Sequence, residues 1–566
     1  MRVLGLSGHF HDAAAALVVD GALVAAAQEE RFTRRKHDAA TPVRAAAFCL
    51  AQAGLSAADL DAVVWYEKPL RKLERVLMTS LRTWPRGARS FRRAVRSMLG
   101  DKLWVRAQLV EALGVPSERV RFAAHHQSHA ASAYYCSPFA EAAVLCVDGV
   151  GEWTTTSMWR AGPGGLEGLV EAHFPHSIGL LYSVFTAFLG FEVNEGEYKV
   201  MGLAAFGQPR YRAELDRLVR RHADGSFELD MDFFSFHREP DRAWSPAFEA
   251  LFGAPRPPGG PMEERHRDLA ASVQQLTEEL LLDLCRALHA RTGLRHLCLA
   301  GGVALNAVAV GRIVAEGPFE DVFVMPAAGD AGAAVGAALL PAPAHVTLRH
   351  VALGEALNLD ATRSFLDDCG ISYQEHPGDG IADAVAAKLA EGAVVGWMQG
   401  RFELGPRALG QRSILCDPRD PGAKDRLNQR VKHREPFRPF APSVLAERAD
   451  DLFVLPPPRA PGAPPPGAWT RRFMTSTVPA RDARVPGALH VDGTARVQEV
   501  HAEDLPLYAA MLARLGERTG LPCVINTSFN LAGEPIVSTV ADGWSTFTRG
   551  GLDALAVGPF LVSRGA

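Results

Sequence analysis

At the start of the chain an apolar run, Val3 to Leu6, reads as a strand. Ala13 to Val19 with Ala22 to Ala27 read as a hairpin closed by the turn dipeptide Asp20-Gly21. Thr41-Pro42 reads as a cap followed by proline at the first helical position. The apolar period then runs through Ala45 to Gln52 until Gly54 stops it, and Asp59 to Trp65 reads as another strand. The pattern restarts at Ala142. A strand to Val147 leads into Asp148-Gly149-Val150-Gly151, a polar strand Thr154 to Trp159, a glycine-rich turn and a further strand around Leu169.

Strand, hairpin and helix used twice predict a duplicated α/β domain of the actin-like, ribonuclease H-like kind, with phosphates lying between its halves. Pro341 to Ala344 and the irregular stretch to Asn358 separate an alanine- and glycine-rich helix from a new α/β pattern. The expected division is an N-terminal domain over 1–345 and a C-terminal α/β domain over 355–566. Pro456 to Pro466 reads as an extended surface loop, and Arg71 to Arg96 as a basic helical insertion carrying Trp84 and Phe91, most simply a solvated face.

Composition changes this picture little. The 566 residues, 48% hydrophobic and 22% charged, are too many for one core, and the formal net charge of -4 gives no global pull towards nucleic acid. Eight scattered cysteines without a C-x-x-C pair read as reduced, mostly buried thiols. With no long apolar span, a cytoplasmic, soluble chain is expected, with no membrane or nucleic-acid partner. A homodimer is common at this size.

The candidate chemistry falls into two groups. In His125-His126-Gln127-Ser128-His129 the outer histidines stand at i and i+4 of an expected helix, on one face; packing or surface polarity is the plain alternative. Asp148 ends a strand, and Asp330 follows the strand Val322 to Met325 in Gly329-Asp330-Ala331-Gly332, so four ligands from three segments suit a cation cleft. The mixed imidazole and carboxylate set fits iron(II), manganese or zinc better than calcium. Gly301, Gly302 and Asn306 open a helix after the strand Leu297 to Ala300, where exposed amides meet a nucleotide or simply make a tight turn. Lys199 offers a phosphate contact or an ion pair with Glu197. In the second half, Arg407 sits in the rigid turn Gly405 to Ser413, and Arg438 and Arg496 add cationic groups. Lys432-His433-Arg434 pairs with Asn526-Thr527-Ser528-Phe529-Asn530 as an anion and nucleotide site, the lysine and arginine giving charge and Ser528 and Asn530 neutral hydrogen bonds.

In this order these residues resemble the O-carbamoyltransferase family of the NodU, cephem and tobramycin type over almost the whole chain. The resemblance rests on Phe10-His11-Asp12, Glu29-Glu30-Arg31-Phe32, the His125 to His129 motif, Asp148-Gly149, Lys199 to Ala204, Gly301-Gly302-Val303, Gly329-Asp330 and the second-half motifs. It implies an actin-like carbamoyl-transfer domain followed by a YrdC-like domain. The latter would hydrolyse carbamoyl phosphate to carbamate and phosphate, and the carbamate would attack the α-phosphate of ATP, with magnesium, to give carbamoyl adenylate and pyrophosphate, using Arg407, Lys432, Arg496 and Ser528 assisted by Arg434 and Asn530. In the first domain a hydroxyl of a small acceptor, with antibiotic sugars as first guess, would attack the carbamoyl carbon. His11 would act as general base or transition-state donor, Gly149 and Lys199 would lie by the nucleotide, and iron(II) would sit on His125, His129, Asp148 and Asp330. The alternatives are a tRNA threonylcarbamoylation enzyme and a non-catalytic actin-like nucleotide switch.

Overall fold

The computed structural model describes residues 1–459 and 464–564 of this α/β protein, so residues 460–463 of the expected loop Pro456 to Pro466 lie outside the described residues. The first sheet has the order Ala22–Gln28, Ala14–Val19, Arg2–Ser7, Ala62–Trp65, Val120–Phe122. Its first three strands are an antiparallel meander and the last two run parallel to Arg2–Ser7. A second sheet repeats that order with Gly165–His173, Thr154–Gly162, Ala142–Val147, His296–Ala300 and Asp321–Val324.

The helix after the last strand of each sheet packs across to the other sheet. His125–Tyr135 follows the first sheet and lies on Ala142–Val147 and His296–Ala300; Asp330–Leu339 follows the second and lies on Arg2–Ser7 and Ala14–Val19. The two helices also pack on each other, closely enough that a Cβ at Gly336 would stand 1.8 Å from the Ser128 carbonyl oxygen. This contact explains the alanine and glycine content of that helix, since a larger side chain would force the backbones apart.

The helix expected to begin at Thr41 is Val43–Gln52, with Pro42 rather than Thr41 at the N-cap. Thr41 is diverted: its hydroxyl bonds His9 Nε2 at 3.0 Å. The Glu29 carboxylate caps the helix instead, accepting the amides of Arg44 (3.1 Å) and Ala45 (2.7 Å).

In the second half an eight-stranded mixed sheet contains, in order, Val395–Met398, Arg412–Cys416, Cys523–Ser528 and Ala441–Leu445 towards its middle. Its side chains alternate as the pleat requires. Val395, Trp397, Leu415 and Val524 pack with helices Gly380–Ala390 and Pro506–Thr519; Met398, Ile414, Cys416 and Ile525 pack in a separate core with Leu427, Phe529 and Phe547. All eight thiols are free, and only Cys369 is exposed. Among the described residues no helix is long and apolar enough to cross a membrane.

Candidate functional site

Because the two crossing helices both begin over the same point, the first two turns of one deliver His125 and His129 and the first residue of the other delivers Asp330, and Asp148 arrives from the end of Ala142–Val147. One ligand atom from each of the four lies within 4.8 Å of all the others. The Nε2 atoms of His125 and His129 are 3.1 Å apart. Asp148 Oδ2 is 3.0 Å from the first and 3.8 Å from the second, and Asp330 Oδ1 is 3.7 Å from both. Ligands about 2.1 Å from a shared ion stand roughly 3–4 Å apart, so this buried two-nitrogen, two-oxygen set fits a transition metal or zinc.

Neighbours hold the four in place. Gly302 N–H donates to Asp148 Oδ1 at 3.0 Å, and Tyr66 Oη donates to Asp330 Oδ2 at 3.2 Å; burial keeps that phenol protonated by pushing it well up. Glu152 accepts the His125 amide and the Lys68 amide. Burial alone would pull the His125 imidazole down, but the Asp148 hydrogen bond and the charges of Asp330, Asp148 and Glu152 push it up to about 9. The cluster therefore favours a positive charge between its carboxylates.

His11 lies beside this cluster. Its Nδ1 bonds Asp12 Oδ2 at 3.1 Å, and the other Asp12 oxygen takes a 2.8 Å bond from His37 Nδ1. Burial lowers the His11 imidazole, yet the Asp12 hydrogen bond and the charges of Asp330, Asp12 and Asp148 outweigh it and push it up to about 9. Of the two roles expected for His11, this environment favours the donor, because the Asp12 hydrogen bond stabilises the protonated ring. A cation on Asp148 and Asp330 would offset two of the raising charges and leave the Asp12 bond.

The second group gathers where the two halves meet. Lys432 Nζ is held by Asn530 Oδ1 (2.9 Å), the Asn530 carbonyl (3.0 Å), Ser528 Oγ (3.3 Å) and the Ser528 carbonyl. Burial, then the charges of Arg434, Arg438 and Lys36, pull this ammonium well below its ordinary value. Arg434, pulled to about 9 by burial and by Arg438, stacks over Phe440 at 4.3 Å and donates to Asn428 Oδ1 at 2.9 Å. Arg407 is buried against the carbonyls of Pro326 and Leu305 in the first half, its Nε unpaired; burial and Arg496 pull it well down. Arg496 is pulled to about 10 by burial and then Arg438, and among the described residues its buried Nε has no partner either. Several buried cations that depress one another form a site short of negative charge.

Not every expected contact survives the fold. Gly301 and Gly302 do not present free amides: the first donates to Ala328 O at 2.8 Å and the second to Asp148. Gly301 is required by geometry, with φ +89° and an added Cβ 2.3 Å from the Val147 carbonyl oxygen. Asn306 is also committed, capping helix Ala307–Glu316 through the Ala309 amide and pairing with Gln274 by two hydrogen bonds. Lys199 pairs with Glu435 of the second half at 2.9 Å rather than with Glu197. Ser528 Oγ donates to Asn530 Oδ1 and Asn530 Nδ2 to Glu534 O, so both side chains orient Lys432 rather than standing open. Gly149 alone of the nucleotide set has open space at its Cβ position.

Sequence reasoning assigned no role to Asp12, His37, Tyr66, Glu152 or Glu403. Glu403 Oε1 fixes the arginine-bearing turn by accepting the amides of Leu409, Gln411 and Arg412.

The family model for the carbamoyltransferase N-terminus matches residues 2–339, and that for the carbamoyltransferase C-terminus matches 386–564. An uncharacterized protein of Synechocystis sp. is 43% identical over all of this chain and 97% of its own length. Nodulation protein NolNO of Sinorhizobium fredii is 38% identical over 98% of this chain and 79% of its own. A solved structure, the activator of 2-hydroxyisocaproyl-CoA dehydratase from Clostridium difficile, overlaps 60% of this chain and 94% of its own at 13% identity and TM-score 0.33, too little to carry an argument. The two family models together span both halves of the molecule, and the chain belongs to the carbamoyltransferase family.

Proposed function

We propose that this carbamoyltransferase runs two consecutive steps. In the second half, a YrdC-like domain in this reading, water hydrolyses carbamoyl phosphate to carbamate and inorganic phosphate, and the carbamate oxygen attacks the α-phosphate of magnesium ATP to give carbamoyl adenylate and pyrophosphate. In the first half, a duplicated actin-like domain, the carbamoyl group passes to a hydroxyl of a small acceptor and AMP leaves. The carrying observation is the cation set of buried Arg407 and Lys432 with half-buried Arg434 and Arg496, whose one nearby carboxylate among the described residues, Glu435, is shared with Lys199 and Arg438, so that the set calls for a polyanion. Arg407 and Arg496 hold phosphate oxygens, while Lys432, fixed by Ser528 and Asn530, faces the charge that develops as pyrophosphate departs.

His125, His129, Asp148 and Asp330 would hold iron(II), zinc or manganese, which as a Lewis acid offsets charge on phosphate oxygens. Beside them His11, anchored by Asp12, donates a proton to the reacting carbamoyl group or, when its ring is neutral, takes up the acceptor proton.

The direct test is pyrophosphate release by the metal-replete protein given ATP, with and without carbamoyl phosphate and without acceptor. Release that requires carbamoyl phosphate is the expected result; a folded, ATP-binding sample that releases none removes the adenylation step. His11→Asn should release pyrophosphate as the wild type does while transfer to acceptor falls by about 10²–10⁴-fold, the range for a lost acid-base group. Loss of both activities in that variant would contradict separate sites.

A further inference from the structure

The expected insertion Arg71 to Arg96 is a helical hairpin, Pro69–Thr83 and Ala88–Ser97, continuing through the turn Met98–Lys102. It is not the simple solvated polar face that its charge suggests. Leu70, Leu77 and Leu81 recur at i, i+7 and i+11, hence on one helix face, and are 75%, 41% and 73% exposed; Trp84 beyond them is 66% exposed. Leu99 and Trp104 are also exposed and adjoin, the Trp104 indole donating to the Leu99 carbonyl at 2.8 Å. Lys72 and Lys102 both lie over the ring of Phe10, at 5.7 and 6.0 Å, so the two ends of the hairpin meet at an exposed phenylalanine next to His11.

The charge of this patch selects its occupant. Between residues 69 and 106 the chain has eleven lysines and arginines against two acidic residues, Glu74 and Asp101, an excess of nine positive charges in a protein whose net charge is -4. Arg86, Arg92 and Arg96 are exposed, and among the described residues none is ion-paired; Arg89 and Arg93 share Asp241, and Arg71 and Arg82 turn to a cavity they line with Glu152 and Glu171. An isologous contact with a second copy would press this excess against itself. Exposed leucines and tryptophans on a hairpin that also carries the unpaired Arg86, Arg92 and Arg96 match the interface of an anionic bilayer, where apolar side chains enter the acyl boundary and arginines meet headgroup phosphates.

We propose that the hairpin 69–104 docks on an anionic lipid surface and brings the Phe10–His11 mouth of the first site against it. The docking does not depend on the transfer chemistry, and it departs from the expectation of no membrane partner.

The experiment is co-sedimentation of the full-length protein with vesicles of phosphatidylcholine alone or mixed with phosphatidylglycerol, read also by tryptophan emission. Binding should be at least ~10-fold tighter to the mixed vesicles, weaken with salt, and shift the emission to the blue. Leu81→Asp and, separately, the double variant Arg92→Glu with Arg96→Glu should each lose the binding by ~10-fold or more while pyrophosphate release is unchanged. Equal affinity for both vesicle types, or wild type that stays in the supernatant with both, overturns the proposal. So does a concentration-dependent dimer that Leu81→Asp dissolves, because a second copy then covers the patch.

Discussion

Lys432→Ala should reduce pyrophosphate release from ATP and carbamoyl phosphate by at least about 10²-fold, the scale for losing one preorganised donor to a developing anion. The same protein should still transfer the carbamoyl group when carbamoyl adenylate is supplied. The reason lies in how the ammonium is held: Ser528 and Asn530 contribute four oxygens around it, none of them a carboxylate. Its charge is therefore oriented but not cancelled, while Arg434, Arg438 and Lys36 press on it from nearby. A polyanion relieves that repulsion, and alanine removes the group best placed to exploit it. The substitution leaves carbonyls without a donor at a cost of about 1–3 kcal/mol, so a thermal melt should accompany the assay. A folded Lys432→Ala protein with near-normal pyrophosphate release would remove Lys432 from adenylation.

Asp330→Ala should have the opposite pattern: transfer lost, pyrophosphate release kept, and bound metal reduced by more than ~100-fold in affinity. A ligand deletion should exceed the roughly 10–100-fold effect of losing an outer partner, for which Tyr66→Phe is the comparison because its hydroxyl bonds Asp330 without reaching the cluster. With Asp330 gone, the two imidazoles face one carboxylate, and the balance that favours a cation between two acids is halved. Elemental analysis of purified Asp330→Ala checks this directly, and full metal content would take Asp330 out of the ligand set. The Lys432 and Asp330 variants mixed together should regain transfer if carbamoyl adenylate can leave one molecule and enter another.

The chain itself set the local elements and the donor types. Alternating and continuous apolar runs around Asp20-Gly21 and again after Ala142 specify the two meanders, since hairpin turns and strand patterns are short-range properties. The i, i+4 spacing of His125 and His129 likewise follows from helical period alone. What tertiary structure decided is which partners those donors meet. Asp330 reaches the histidines only because each sheet's last helix crosses to the other sheet at the Gly336 contact, a pairing separated by about two hundred residues of sequence.

Long-range packing also took away partners that the sequence appeared to leave open. Gly302 serves Asp148, Asn306 serves Gln274 and the Ala309 amide, and Lys199 serves Glu435, because a buried or half-buried polar group is satisfied by whatever the fold places nearest. Arg407, Arg434 and Arg496 differ for the same reason: their number was legible in the sequence, but only desolvation where the halves meet, with Glu435 shared among several cations, turned ordinary surface charge into demand for an anion.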